Sequence, residues 1–185
     1  MMHIIETARM YLRPFTPADL DDYYGQVYSD PDVMVYLPGG VPRTREKTNE
    51  VLEFSMQHGQ EHGFTLWAAI DKVSGQFMGH CGLVYLKGTP DVEVAYAFGK
   101  AFWGLGIATE AAGAALRYGF EVAGLDYIVA LAEPGNLASQ RVMQKIGMFH
   151  QGMTNQYYHT PLVLYRLERS QWQPDAALFV VREAG

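Results

Sequence analysis

The stretch Trp103-Gly104-Leu105-Gly106-Ile107-Ala108-Thr109-Glu110-Ala111 constrains this chain more than any other. It joins a strand-like segment, Val92 to Phe98, to an alanine-rich helix that starts near Ile107. A glycine pair at a helix N-terminus leaves backbone N–H groups pointing outward, unobstructed by side chains, with the helix dipole behind them. That arrangement favours a bound anion, most often a phosphate or pyrophosphate.

Three readings of the loop compete. A P-loop ends in Gly-Lys-Ser/Thr, whereas Gly106 is followed by Ile107-Ala108, so that reading fails. A dinucleotide fingerprint wants Gly-x-Gly-x-x-Gly/Ala directly after a strand, with an acid closing the next strand. Here the sixth position is Thr109, residues 99–103 separate strand from glycines, and Asp126 precedes the next strand instead of ending it. The third reading is a plain turn.

Composition sets the frame. At 185 residues the chain is read as one domain, residues 1–185, with an unplaced tail at 173–185. A chain of this size buries roughly 70% of the surface it exposes unfolded. Hydrophobic residues are 49% and charged residues 18%, which fits a globular protein and not a disordered one. No segment approaches the ~20 apolar residues of a membrane helix, and the N-terminus lacks a signal-peptide pattern, so a cytoplasmic location and no membrane partner are expected. A net charge of −6 argues against nucleic acid as a partner and suits a cationic substrate such as an amine. The single cysteine, Cys81, excludes an intrachain disulfide and a multi-cysteine metal site, and its apolar, alternating surroundings read as a buried strand. His58 and His62 have the one-turn spacing of metal ligands, but no third ligand lies near, so no metal is expected and a solvated helix end is.

Along the chain, a strand is predicted at residues 9–15, then a helix opened by Thr16-Pro17. A second helix runs from about Thr44 to His62, followed by strands at Phe64–Ile70, Phe77–Tyr85 and Val92–Phe98. After the glycine loop come a helix to about Ala123, a strand at Ile128–Ala132, and a helix opened by Asn136 and stopped by Gly147. Strands at His150–Tyr157 and Leu162–Glu168 complete the pattern. An antiparallel meander followed by strand–helix–strand–helix–strand predicts a mixed α/β sheet.

The second informative motif is Asn136-Leu137-Ala138-Ser139-Gln140-Arg141-Val142-Met143-Gln144-Lys145-Ile146-Gly147. Taken with Trp-Gly-x-Gly-x-Ala-Thr-Glu-Ala, it resembles the GNAT superfamily of acetyl-CoA-dependent N-acetyltransferases, and within it the branch of ribosomal-protein-alanine N-acetyltransferases. The resemblance runs from Thr7 through Leu167. It implies a central, mostly antiparallel sheet splayed between the fourth and fifth strands, with helices on both faces. It implies acetyl-CoA as cosubstrate, with Gly104 and the backbone amides of Leu105, Gly106, Ile107, Ala108 and Thr109 holding the pyrophosphate. Pantetheine would enter the splay beside Tyr96, Ala97 and Phe98, with Asn136 bonding it and Lys145 within reach of the phosphates. Members are often homodimers.

The chain departs from the pattern at three places. Ala101 stands where Gln or Arg is common, Met143 where many members carry a proton-donating Tyr, and Ala95-Tyr96-Ala97 where the branch commonly has Gly followed by bulkier aromatics. The resemblance then makes Ser139 the candidate donor of a proton to the leaving thiolate. Glu93 is the candidate general base, and the Phe98 N–H the oxyanion donor. The acceptor is a primary amine, either a protein N-terminus or a small molecule. An α-amine, with pKa about 7.7–8.0, loses its proton more readily than lysine at about 10.4. Residues 33–40 and 155–161 are expected to form the acceptor pocket, although Tyr157-Tyr158-His159 also reads as an ordinary strand end. Glu110 reads as structural. The alternatives are a ping-pong enzyme using Cys81 and a CoA-binding protein of the same fold without catalysis.

Overall fold

The middle of the chain is rich in Ala, Val and Gly, and every residue of Phe77–Val84 is buried, as a strand covered on both faces requires. The computed structural model describes residues 2–158 and 160–184. It opens with β1 (His3–Glu6) and β2 (Met10–Arg13). Residues 17–28 form a helical stretch of mixed pitch whose α-turn is α1 (Leu20–Tyr23), followed by α2 (Pro31–Met34). The helix α3 (Arg45–His62) is capped by the Thr44 hydroxyl and closed by Gly63 in the left-handed region. The meander β3 (Leu66–Asp71), β4 (Phe77–Tyr85) and β5 (Val92–Phe98) comes next. Then follow α4 (Ile107–Glu121), β6 (Tyr127–Ala132), α5 (Leu137–Lys145), β7 (Phe149–Thr154), β8 (Leu162–Glu168) and β9 (Val180–Glu183).

The strands form one open nine-stranded sheet in the order β7-β8-β6-β5-β4-β3-β2-β1-β9. Every neighbouring pair is antiparallel except β5 and β6. That parallel pair holds through a single bridge, Glu93 to Val129. Beyond it the two strands part, at the position where the resemblance predicts a splay. In the ladder between β4 and β5, the Gly99 N–H bonds the Met78 carbonyl at 2.9 Å. Antiparallel alternation therefore turns the Ala97 N–H toward β4 and leaves the Tyr96 and Phe98 N–H groups facing the gap.

Two apolar clusters sandwich the sheet. One lies under α4 and joins Leu83, Val94, Phe98, Ala111 and Ile128, with the Trp67 and Tyr118 rings packed edge-on at 5.0 Å. The other lies under α1–α3 and joins Tyr23, Tyr28, Leu52, Val84 and Ala97. β4 can run this close to both neighbours because Gly79 and Gly82 lack side chains. A Cβ on Gly82 would meet the Thr65 carbonyl oxygen at 1.9 Å.

Three local expectations are corrected. The unplaced tail supplies β9, which pairs antiparallel with β1, a strand that the sequence did not announce. β7 ends at Thr154, so Tyr157 and Tyr158 lie in the loop before β8, and His159 lies outside the described residues. The end of α3 is not solvated at His58, which is 5% exposed. Its Nδ1–H donates to the Phe64 carbonyl at 2.8 Å and its Nε2 accepts the Tyr85 N–H at 3.2 Å, so both nitrogens staple the helix to the sheet.

Candidate active site

The glycine loop is held in place from two sides. Gly104 and Gly106 have φ of 72° and 76°, which only glycine adopts at little cost, and Gly106 caps α4. The Trp103 indole donates to the Phe98 carbonyl at 2.7 Å, tying the loop to the end of β5. Arg9 donates to the Leu105 carbonyl at 2.7 Å and pairs with Glu110 at 2.6 Å. Glu110 also accepts from Thr7 and from the Arg9 backbone, so it anchors the first hairpin to α4 and serves structure, as its place in the sequence suggested.

The loop, the end of β5 and the start of α5 enclose a cavity of about 410 Å³. It brings together Tyr96, Ala97, Phe98, Gly104, Gly106, Ile107, Ala108, Thr109, Asn136, Ser139 and Lys145. Leu105 does not line it; its side chain is 58% exposed. The first amides of α4 have no intrahelical partner and face this space. Asn136 accepts the Ser139 N–H at 3.0 Å, so its oxygen caps α5 and its NH₂ stays free of that duty. Arg141, which the sequence reading passed over, lines the cavity one helical turn before Lys145. Both are exposed, so the cavity has a cationic rim. Met143 is 1% exposed in the core, a packing residue with no proton to offer.

A second cavity of about 710 Å³ adjoins the first along β5, from Glu93 to Tyr96, and reaches α3 and the loop after α2. Tyr96 and Ser139 line both cavities, and their hydroxyls are 2.9 Å apart. Burial raises the Tyr96 hydroxyl pKa while its bond to Ser139 opposes the rise, so at neutral pH both groups keep their protons. Glu93 lines the second cavity and is 6% exposed. Burial pushes its carboxyl up to about 7, against hydrogen bonds from Tyr158 and the Leu131 backbone that favour the charged form. The Tyr158 hydroxyl donates at 2.9 Å across 65 residues of sequence. Beside it, Tyr157 and Tyr127 both donate to Asp91, at 2.8 and 2.6 Å, fastening the loop over the splay.

Cys81 and His80 point to opposite faces of β4. Cys81 is fully buried and burial raises its pKa well above the usual thiol range, which leaves it unreactive. His80 bonds the Tyr23 hydroxyl at 3.1 Å, and burial, aided by Arg43, pushes its pKa down to about 3. Among the described residues no group of three His, Cys, Asp or Glu side chains could hold a metal ion. No helix among them is long and apolar enough to cross a membrane.

The model of the acetyltransferase (GNAT) domain matches residues 9–149, and the chain belongs to this family of acetyltransferases. YkkB of Bacillus subtilis is 37% identical over 161 residues, covering 86% of this chain and 92% of that protein. A GNAT-family acetyltransferase from Bacillus anthracis superposes with a TM-score of 0.77 at 27% identity, covering 90% of this chain and 99% of that one. RimL, a ribosomal L7/L12 α-N-protein acetyltransferase, shares the fold at a TM-score of 0.75 and 16% identity, over 89% and 93% of the two chains.

Proposed function

We propose that the protein is an acetyl-CoA-dependent N-acetyltransferase that moves the acetyl group to a primary amine by direct attack in a ternary complex. The observation that carries this reading is the junction of the two cavities at Tyr96 and Ser139. Donor and acceptor could be bound together, in adjoining cavities along one strand, with no residue needed to carry the acetyl group between them. The buried Cys81 thiol, on the core face, supports the same conclusion.

In this reading the α4 amides, Lys145 and Arg141 hold the phosphates, and the Asn136 NH₂ holds the pantetheine arm. The acetyl group of the bound thioester is the electrophile. Glu93, on the acceptor side, takes the proton of the amine, directly or through water. A carboxyl with pKa about 7 suits that task near neutrality. The Phe98 N–H, facing the gap, stabilises the developing oxyanion. Ser139, held by the Tyr96 hydroxyl, gives its proton to the departing sulfur; its place in the first turn of α5 also favours developing negative charge.

A panel of amines and peptides assayed by release of free CoA thiol tests the reading. Turnover of at least one amine is expected. Acetyl-CoA binding with no turnover of any acceptor would overturn it in favour of a non-catalytic CoA-binding protein. The acceptor is a protein N-terminal α-amine or a small-molecule amine.

A further inference from the structure

The acceptor cavity has a chemical character of its own. Val35, Tyr36, Phe54 and Tyr158 line it, yet each is 44–51% exposed. Four large apolar side chains around one opening mark a binding surface. Tyr28 and Leu162 continue the apolar wall inward. Among the described residues the only acids in the lining are Glu93 and Glu133, and the only Lys or Arg is Arg43.

Arg43 is positioned, not loose. Its Cζ lies 5.1 Å from the centroid of the Tyr28 ring, and one Nη donates to the Pro38 carbonyl at 2.9 Å. Among the described residues no carboxylate pairs with it within 4.0 Å. A guanidinium has five donors in a planar fork that matches a carboxylate, so most of its capacity remains on offer. Arg43 sits toward His80, whose ring stacks 6.5 Å from the same Tyr28 ring and which pairs with Ala97 of β5. Glu93 is four residues back along the same strand, about 13 Å at ~3.3 Å per residue.

Resting on the acetyl-transfer reading, we infer that the acceptor is a small primary amine with an apolar or aromatic body and a carboxylate at the end remote from the amine. The amine goes to Glu93, the body lies among Tyr28, Tyr36 and Tyr158, and the carboxylate meets Arg43. A free α-amino acid is too short to engage both ends, since its amine and carboxylate sit on one carbon. A polyamine or other polycation meets only two acids and a repelling guanidinium.

The test compares four acceptors by thiol release: 4-(2-aminoethyl)benzoate, the neutral 2-phenylethylamine, spermidine, and a short peptide with a free N-terminus, an amidated C-terminus and no acidic side chain. The carboxylated aryl amine is expected to exceed 2-phenylethylamine in kcat/KM by at least tenfold, mainly through KM. Arg43→Gln should collapse that ratio toward one, and Arg43→Lys should retain part of it. Calorimetric binding of the carboxylated amine to the wild-type protein gives a readout independent of turnover. Turnover without preference for the carboxylate, or highest kcat/KM for spermidine or the peptide, overturns the inference and leaves acetyl transfer standing. Acetyl-CoA binding with no turnover of any of the four, and no binding of the carboxylated amine, overturns both.

Discussion

The two cavities that meet at Tyr96 and Ser139 are built by different means. The first gathers the left-handed glycines, the first turn of α4 and the end of β5, together with side chains of α2, the segment after it and α5. The acceptor cavity is walled by side chains from α3, the loop after α2, β4, β5 and the loop before β8, and its polar groups are Glu93, Tyr158 and Arg43. Backbone amides present the same surface whatever the neighbouring side chains, so the proposed donor side is expected to tolerate a change such as Ala at position 101. A cavity made of side chains changes its ligand with each substitution. On the proposed reading, the chain keeps one donor while its acceptor is set by a few residues far apart in sequence.

Substitutions that separate the two sides should differ in kind as well as size. Glu93→Gln is the largest: removal of a general base lowers kcat/KM about 10²–10⁴-fold, while CoA affinity measured by calorimetry stays put. The same change should stabilise the fold at alkaline pH. The folded-state pKa of Glu93 is raised, so its contribution is fully present below about pH 4.5 and is lost as pH climbs through about 7. Thermal denaturation above pH 8 should therefore favour the variant by about 3 kcal/mol, with the difference vanishing near pH 4.

Next come the shared hydroxyls. Ser139→Ala and Tyr96→Phe should each lower kcat by about tenfold, and the double variant should cost less than the product of the two, because the groups act as one bonded pair. On the donor side, Gly106→Ala places a Cβ on a residue with φ 76° and costs about 1–2 kcal/mol. Its CoA Kd should rise several-fold with acceptor KM unchanged, and an equal rise in both would erase the distinction between the cavities. On the acceptor side, Tyr158→Phe removes a hydrogen bond to the charged form of Glu93. The acid limb of the rate profile should move up by about one pH unit, with the alkaline plateau preserved. Smallest of all, Ala101→Gln should tighten CoA binding no more than a few-fold, since one side-chain hydrogen bond is worth about 1 kcal/mol.

The donor side was legible in the sequence because its determinants are local. Positive-φ glycines, the Asn136 cap and helical spacing all lie within two short segments, and the structure brings them to one cavity. Glu93 could be named from the same strand. Tyr158 could be expected near the acceptor pocket, but not its bond to Glu93, 65 residues away, and Arg43 could not be named, because no local pattern ties it to the site. The only signal was the Tyr157-Tyr158 pair, which fitted a strand end equally well. His58 misled for a related reason: its two hydrogen bonds go to the chain beyond its own helix, at Phe64 and Tyr85, where no periodicity points. β1 and β9 are four-residue strands that pair 176 residues apart, Glu6 against Arg182 side chains included, and neither has enough length to show alternation.

The claim that joins both cavities is that Glu93 takes the proton of the acceptor amine. It is tested most directly by the pH dependence of kcat/KM for wild type and Glu93→Gln with one active amine. The wild-type profile should rise with pH through an apparent pKa near 7, and the residual activity of the variant should lack that limb. The same limb in the glutamine variant, with rates near wild type, would contradict the account.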